Sequence, residues 1–358
     1  MIALTYDDIQ LVPAYSHIES RKLINLETNI TERYKIYSPI VAAPMDTVCE
    51  LEMAYQLFLN GGVGCIHRFM SIEEQVKQVS ELSIRIYAEA FINVDYIDWI
   101  RDRSNVPIMA AVGANGDYLE RAEALIRAGA NIILIDVAHG HHKNVREAIK
   151  SIKELNKKLT LKPIEIIAGN IATAQAAEDL QEWGANGLRI GVGGGSVCTT
   201  RIQTGFGVPN VTCIEQIRKV ATVPIIADGG IRTSGDIAKA LALGADCVMI
   251  GSIIAGTKET PGEIHIGTES SDRFKIYRGA ASLETKTIHG QPQRNVEGAS
   301  TIVPYKGEVT PIIDSLLDGI RSALSYCGAQ SLNQYFPEWV QITSAGQIEA
   351  KPHLLNKY

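Results

Sequence analysis

The chain has 358 residues, 46% of them hydrophobic and 21% charged, and its 34 Lys+Arg against 40 Asp+Glu leave a formal net charge of −6. That composition excludes disorder as the main state and argues against a nucleic-acid partner, which would need a basic face. No apolar run approaches the ~20 residues of a membrane span, and the opening MIALTYDDIQ lacks the basic and apolar regions of a signal peptide, so a cytoplasmic protein with no membrane partner is expected.

Residues 1–37, including LTYDDIQLVPAYS, come before the first candidate strand and are expected to cover or cross the bottom of whatever follows. Eight short apolar runs then recur: SPIVAAPM, GGVGCIH, VPIMAAVG, ANIILIDVAHG, PIEIIAGN, NGLRIGVG, VPIIADGG and ADCVMIGS. They are nearly continuous in apolar and β-branched residues, as parallel strands covered by helices are. Between them LEMAYQLFLN, YLERAEALIRAG, VREAIKSIKELNKK, AQAAEDLQEWG, CIEQIRKVA and SGDIAKALALG carry apolar residues at helical spacing, and several end in glycine. Strand and helix alternating eight times predict a single-domain α/β fold, a TIM (β/α)8 barrel, rather than an open sheet. Residues 264–304 interrupt the pattern as a long, aperiodic active-site flap after strand eight. In 305–358, IIDSLLDGIRSALSYCGA reads as a helix stopped at Gly328, and FPEWVQIT as a tail packing on the barrel or a neighbour.

The strands end in Asp46, His67, Gly113, Asp136, Gly169-Asn170, Gly191, Asp228 and Gly251-Ser252. In a barrel these C-terminal ends form the active-site face. Turn chemistry explains any one of them, and eight together point to a site. Asp228-Gly229-Gly230 and Gly251-Ser252 suit a phosphate held by the loops after strands seven and eight, where glycine lets backbone N–H groups approach an anion. Flavin-binding barrels use similar loops, so these residues indicate phosphate without identifying the ligand.

RIGVGGGSVCTTR, residues 189–201, places Cys198 on a glycine-rich loop at the same face. A thiolate there can attack an electrophilic carbon. The bland alternative, a small buried cysteine, would waste the charge and hydroxyls of Ser196, Thr199, Thr200 and Arg201 in a core. The other cysteines, Cys49, Cys65, Cys213, Cys247 and Cys327, form no CxxC pair, so neither a disulfide framework nor a zinc ribbon is indicated. His139, His141 and His142 lack a neighbouring carboxylate or cysteine at ligand spacing and read as a solvated loop. Trp99, Trp183 and Trp339 read as packing residues.

Across nearly the whole chain the strings LTYDDIQLVPAYS, AAPMDTV, GGVGCIHRFMSIEEQV, DVAHGH, AGNIAT, GSVCTTR, ADGGIRTSGDIAKALALGAD, VMIGS, YRG and PYKG resemble, in order, the IMP dehydrogenase and GMP reductase family. The resemblance implies a purine nucleotide substrate attacked at carbon 2 by Cys198, with Thr200 and Glu297 moving protons. It assigns the 5′-phosphate to Ser196, Gly230, Gly251, Ser252 and Tyr277, and the ribose hydroxyls to Asp228. Gly229, Arg278 and Gly279, from the same strings, join the substrate site. Asp136, Asn170 and Gly191 would stand at the nicotinamide cofactor. The carbonyls of Gly193, Gly195 and Cys198 match a monovalent-cation (K+) loop, in which Gly194 replaces a common proline and loosens the turn.

Departures from the dehydrogenase pattern choose between the branches. EEQVKQVSELSIRIYAEAFINVDYIDWIRDRSNVP fills a gap where most dehydrogenases insert a tandem regulatory domain, and it is too short for one. From Gly279 to Glu297 the flap is shorter than theirs and lacks the Arg-Tyr pair that activates water: Arg294 precedes Asn295, and no tyrosine lies between Tyr277 and Tyr305. Ala280-Ala281 replaces a common Met-Gly. AAPMDTV and GGVGCIH look more like dehydrogenases. The resemblance therefore implies NADPH-dependent reduction of GMP to IMP, as a homotetramer, with NAD-dependent oxidation of IMP as the alternative. A flavin-dependent barrel enzyme and a non-catalytic nucleotide-binding protein are the rivals from other classes.

Overall fold

The computed structural model describes residues 2–92, 106–159, 163–267, 271–288 and 296–350. Trp99, Arg294 and most of RDRSNV lie outside them. Eight parallel strands close into a barrel: β1 (Ile40–Ala42), β2 (Val63–Ile66), β3 (Met109–Val112), β4 (Ile132–Asp136), β5 (Glu165–Ile171), β6 (Gly187–Ile190), β7 (Ile225–Asp228) and β8 (Cys247–Ile250). One helix follows each strand: α1 (Leu51–Leu59), α2 (Ile72–Ile92), α3 (Tyr118–Arg127), α4 (Lys143–Leu159), α5 (Ala174–Trp183), α6 (Asn210–Arg218), α7 (Ser234–Ala242) and α8 (Thr310–Ser325). The expected single TIM barrel is what forms, and no inserted domain appears among the described residues.

Most of the strands are apolar on both faces because they serve two cores at once. In β4, Ile132 and Leu134 point into the barrel lumen with Met109, Ile167 and Met249, while Ile133 and Ile135 join the layer beneath the helices. Strand period two divides the side chains this way. Local signals set the helix limits. Thr233 caps α7 in a reciprocal box with Asp236, and Gly184 ends α5 in the left-handed region at φ 106°. Trp183 and Trp339 are partly buried against the main core, as packing residues should be.

The amino-terminal segment spans the barrel's height. Tyr6 is buried beside Gly230 at the C-terminal end of the strands, whereas Ile30, Tyr34 and Ile36, on a hairpin pairing Thr28–Asn29 with Lys35–Ile36, join the lumen core and seal its floor. The tail does not wait for a neighbour: Trp339–Gln341 pairs antiparallel with Ile9–Leu11 of the same chain.

The flap is more regular than its sequence suggested. His265–Ile266, Arg273–Arg278 and Ser300–Pro304 form a three-stranded antiparallel sheet, and Leu283–Ile288 is a short helix. The alternation in RFKIYR is present but inverted, since Lys275 and Tyr277 are buried while Ile276 and Ile302 face outward. An apolar-in reading therefore misses it.

Candidate active site

A cavity of about 310 Å³ opens over the C-terminal ends of the strands. One wall is the glycine loop after β6. Gly191 (φ 116°) has to be glycine, because a Cβ there would lie 2.1 Å from the Asp228 carbonyl oxygen. The loop is zipped to the returning flap: Ala299 N–H donates to the Val197 carbonyl at 2.8 Å, and Thr199 N–H donates to that of Glu297 at 3.0 Å. This pairing, between segments a hundred residues apart, holds Cys198 beside the flap.

The Cys198 thiol donates to Thr200 Oγ1 at 3.2 Å, and the Thr200 hydroxyl donates to Glu297 Oε2 at 2.8 Å. The three residues expected to carry the chemistry thus form one continuous hydrogen-bonded chain. A salt bridge from Glu297 to Lys306, the simplest structural role for that carboxylate, is not what forms: Lys306 Nζ instead meets the carbonyls of Ser252 and Ile253. Arg294, the flap's own arginine and a second candidate partner for that carboxylate, lies outside the described residues.

Across the cavity Ser196 Oγ and Tyr277 Oη stand 3.2 Å apart. Gly251 lies beneath them, and an added Cβ would come 3.3 Å from the Tyr277 hydroxyl. Gly229 and Gly230 both have positive φ, and Gly229 packs so closely on Gly194 that a Cβ would meet its carbonyl carbon at 2.9 Å. Ser252 and Gly279 also line the cavity. Burial pushes the Tyr277 phenol up from its ordinary pKa, which keeps it a neutral donor. Two hydroxyls and a bare glycine turn are a fitting cradle for a phosphate.

Arg278 does not join them. Its guanidinium turns away and grips Asp46 Oδ2 at 2.7 and 2.9 Å, while its N–H donates to Thr47 Oγ1 at 3.2 Å. Arg278 thus anchors the loop after β1, and its side chain is not among those lining the cavity.

The third wall is an ionic network that the sequence reading did not assemble. Arg189, at the inner end of β6, is buried with Nε 3.0 Å and Nη2 2.9 Å from Asp228 Oδ2, and Nη1 on Asp136 Oδ1. Asn170 Nδ2 donates to the same Asp228 oxygen at 2.7 Å and to the Gly191 carbonyl at 2.8 Å. Asp136, Asn170, Gly191 and Asp228 therefore do come together, with Arg189 as the bridge between them. A charged residue inside an apolar strand was the available signal. Arg68, Phe69 and Lys286 also line the cavity, and the Arg68 guanidinium lies over the Phe69 ring, 4.7 Å from its centroid. A second recess shares Arg68 and Phe69 and continues past Asp117 and Arg121. Carboxylate, amide and guanidinium groups beside a recess suit the ribose, amide and phosphate groups of a nicotinamide dinucleotide.

The cation loop fits its ligand poorly in this chain alone. The Gly195 carbonyl already accepts from Cys198 N–H at 3.1 Å, and the cationic Arg201 side chain lies against Gly193. No group of three or more His, Cys, Asp or Glu that could hold a metal occurs among the described residues. His141 instead binds Asp179 at 2.7 Å, a carboxylate brought near by the fold and not by sequence spacing.

Comparison with known proteins adds three findings. A family described as the IMP dehydrogenase / GMP reductase domain matches residues 3–353. An inosine-5′-monophosphate dehydrogenase of Nitrosopumilus maritimus is 35% identical over 98% of both chains, and a GMP reductase of Leishmania major is 32% identical over 99% of this chain and 97% of its own. The Nitrosopumilus alignment spans 472 positions, so that relative carries internal segments that this chain lacks. In three dimensions the chain is similar to a Trypanosoma brucei GMP reductase, a cysteine-to-alanine variant in complex with guanosine 5′-monophosphate. That match has a TM-score of 0.87 and 30% identity, covering 99% of this chain and 98% of the other.

Proposed function

Because the chain belongs to the IMP dehydrogenase / GMP reductase family, whose members are purine-nucleotide oxidoreductases that use nicotinamide cofactors, we propose that it reduces GMP to IMP and ammonia with NADPH. The observation that carries this reading is the unbroken path Cys198–Thr200–Glu297. A reaction that expels ammonia from a purine must deliver a proton to a poor leaving group beside the attacking sulfur, and this path ends at that sulfur.

In this mechanism Ser196, Tyr277 and the glycine turns hold the 5′-phosphate, and Asp228, oriented by Arg189 and Asn170, receives the ribose hydroxyls. Cys198 sulfur bonds to purine carbon 2 as its proton passes through Thr200 and Glu297 to the 2-amino group. The carbon–nitrogen bond breaks, ammonia leaves, and the purine remains attached to Cys198 as a thioimidate. Asp136, Asn170 and the Arg68 side of the cavity would hold NADPH, which when bound would supply one hydride for carbon 2. The carbon–sulfur bond then breaks, and the Cys198 thiolate and IMP separate. No step is routed through a cation.

The reverse hydride transfer, NAD-dependent oxidation of IMP followed by hydrolysis, is the second reading, and it is favoured by relatives such as the Nitrosopumilus dehydrogenase. Against it, hydrolysis needs a water-activating base, and the flap carries no tyrosine between Tyr277 and Tyr305. Following nicotinamide absorbance with GMP plus NADPH, and separately with IMP plus NAD, decides between them. Turnover only in the second mixture overturns the reductase reading. A homotetramer is part of this proposal; light scattering that returned the 38.9 kDa of one chain at working concentration would refute that part.

A further inference from the structure

Two lysines that do not line the cavity tie the flap to the phosphate turn. The segment after β8 begins with Gly251 and Ser252 and coils through Lys258 to Thr260, with Ala255 N–H returning to the Gly251 carbonyl at 2.9 Å. Lys306, just past the strand by which the flap returns, donates to the carbonyls of Ser252 at 3.0 Å and Ile253 at 2.8 Å. Lys275, on the strand by which the flap departs, is fully buried and donates to the carbonyls of Thr260 at 2.6 Å and Lys258 at 3.3 Å. None of these acceptors is a carboxylate.

The two lysines therefore grip opposite ends of one turn, each from a different root of the flap. Backbone pairing joins the same parts: Lys306 N–H donates to the Gly256 carbonyl at 2.9 Å, and Lys258 N–H to that of Gly307 at 2.7 Å. Lys275 is buried with the Glu259 carboxylate as its nearby opposite charge, while Lys306 is exposed; burying an ammonium is costly, and carbonyl dipoles offset part of that cost. A dianion at the N–H end of the same turn would add further negative charge to the segment both lysines hold. Lys275 also shares its strand face with Tyr277, whose hydroxyl reaches Ser196, and the returning strand follows Glu297 by three residues.

We propose that Lys275 and Lys306 are positioning residues through which an occupied phosphate site sets the flap, and with it Glu297, for chemistry. The inference rests on the phosphate reading of the glycine turns but not on the direction of hydride transfer. Binding energy from a part of the substrate that does not react is thereby used at the reacting carbon.

The test compares the 5′-nucleotide with its nucleoside, GMP with guanosine or IMP with inosine, in whichever direction turns over. The quantity read is the ratio of their kcat/KM values. Lys306→Met and Lys275→Met should each lower that ratio by about tenfold or more, mainly through the nucleotide's kcat, and Lys306→Arg should restore most of it. A general folding defect lowers both terms and leaves the ratio unchanged, so an unchanged ratio overturns the proposal. A loss confined to the nucleotide's KM does so too. Should the methionine variants not fold, the wild-type protein decides: inorganic phosphate added to the nucleoside reaction should raise kcat, and no activation at saturating phosphate refutes the coupling. Absence of turnover in both directions would remove the proposed function alone. The coupling is then read from Cys198 alkylation by iodoacetamide, which GMP should slow more than guanosine does in wild type and equally in the variants; equal protection in wild type refutes it.

Discussion

The Thr200 hydroxyl stands 2.8 Å from Glu297 Oε2 although 97 residues separate the two in the chain. The contact exists because the glycine loop after β6 and the returning flap are zipped together, Cys198 bridging to Gly298 in the manner of adjacent strands. Replacing Glu297 by Gln keeps the shape and a hydrogen bond but removes the exchangeable proton. GMP reduction should fall by ~10² to 10⁴, the range for losing a general acid or base. Hydride exchange between IMP and oxidised cofactor, which needs no proton from this group, should fall far less. Measuring both in one variant is sufficient, and equal losses would take Glu297 off the proton path.

Cys198→Ser should abolish turnover and leave nucleotide binding nearly intact, since a hydroxyl fills similar space but is a much weaker nucleophile at neutral pH. Calorimetric titration with GMP beside a turnover assay checks both halves. A serine variant keeping most of its activity would rule out a covalent path.

Arg189 neutralises two carboxylates in a buried site. Arg189→Met keeps much of the apolar bulk but leaves Asp228 without its cation and Asp136 with only Arg68, 3.8 Å away, and breaking a buried ionic network of this kind costs about 3–5 kcal/mol. Urea unfolding should show a loss of that order, along with a raised KM for the nucleotide whose ribose Asp228 receives. A variant as stable as wild type would mean that the network contributes nothing net.

Burial pushes the Tyr34 phenol from its ordinary value of 10 to about 12. The folded state therefore holds its proton between pH 10 and 12 while the unfolded chain releases it. Stability from this group is complete below pH 10 and is lost as pH rises toward 12, at about 1.4 kcal/mol per unit. Tyr34→Phe cannot ionise, so its unfolding free energy should decline less steeply over that window than the wild type's. Parallel slopes would refute the assignment.

The barrel was readable because its signal is redundant: eight apolar runs, each closed by a polar or glycine residue, with amphipathic stretches between. The glycine turns and Cys198 were readable for a different reason, since backbone approach demands glycine and a thiol among hydroxyls is out of place in a core. Arg189 was not, because its role depends on Asp136 and Asp228 arriving from two other strands, and no local pattern encodes that meeting. The Arg278–Asp46 pair was not readable for a related reason: its neighbour Tyr277 faces the cavity, and strand alternation turns Arg278 to the other side, where Asp46 arrives from a distant loop. The flap sheet stayed hidden because its buried positions are Lys275 and Tyr277, the residue types a core search discards.

The hairpin that carries Ile30, Tyr34 and Ile36 closes the barrel's floor, and the lumen above it is packed with side chains. Among the described residues the floor is closed, so in the proposed reaction nucleotide, dinucleotide and ammonia would all pass through the opening at the top. Traffic through one doorway forms a queue: the reactant seated deeper enters first and departs last. Product-inhibition patterns should accordingly be those of a compulsory order of addition, and the flap over that doorway sets the pace at which the queue moves.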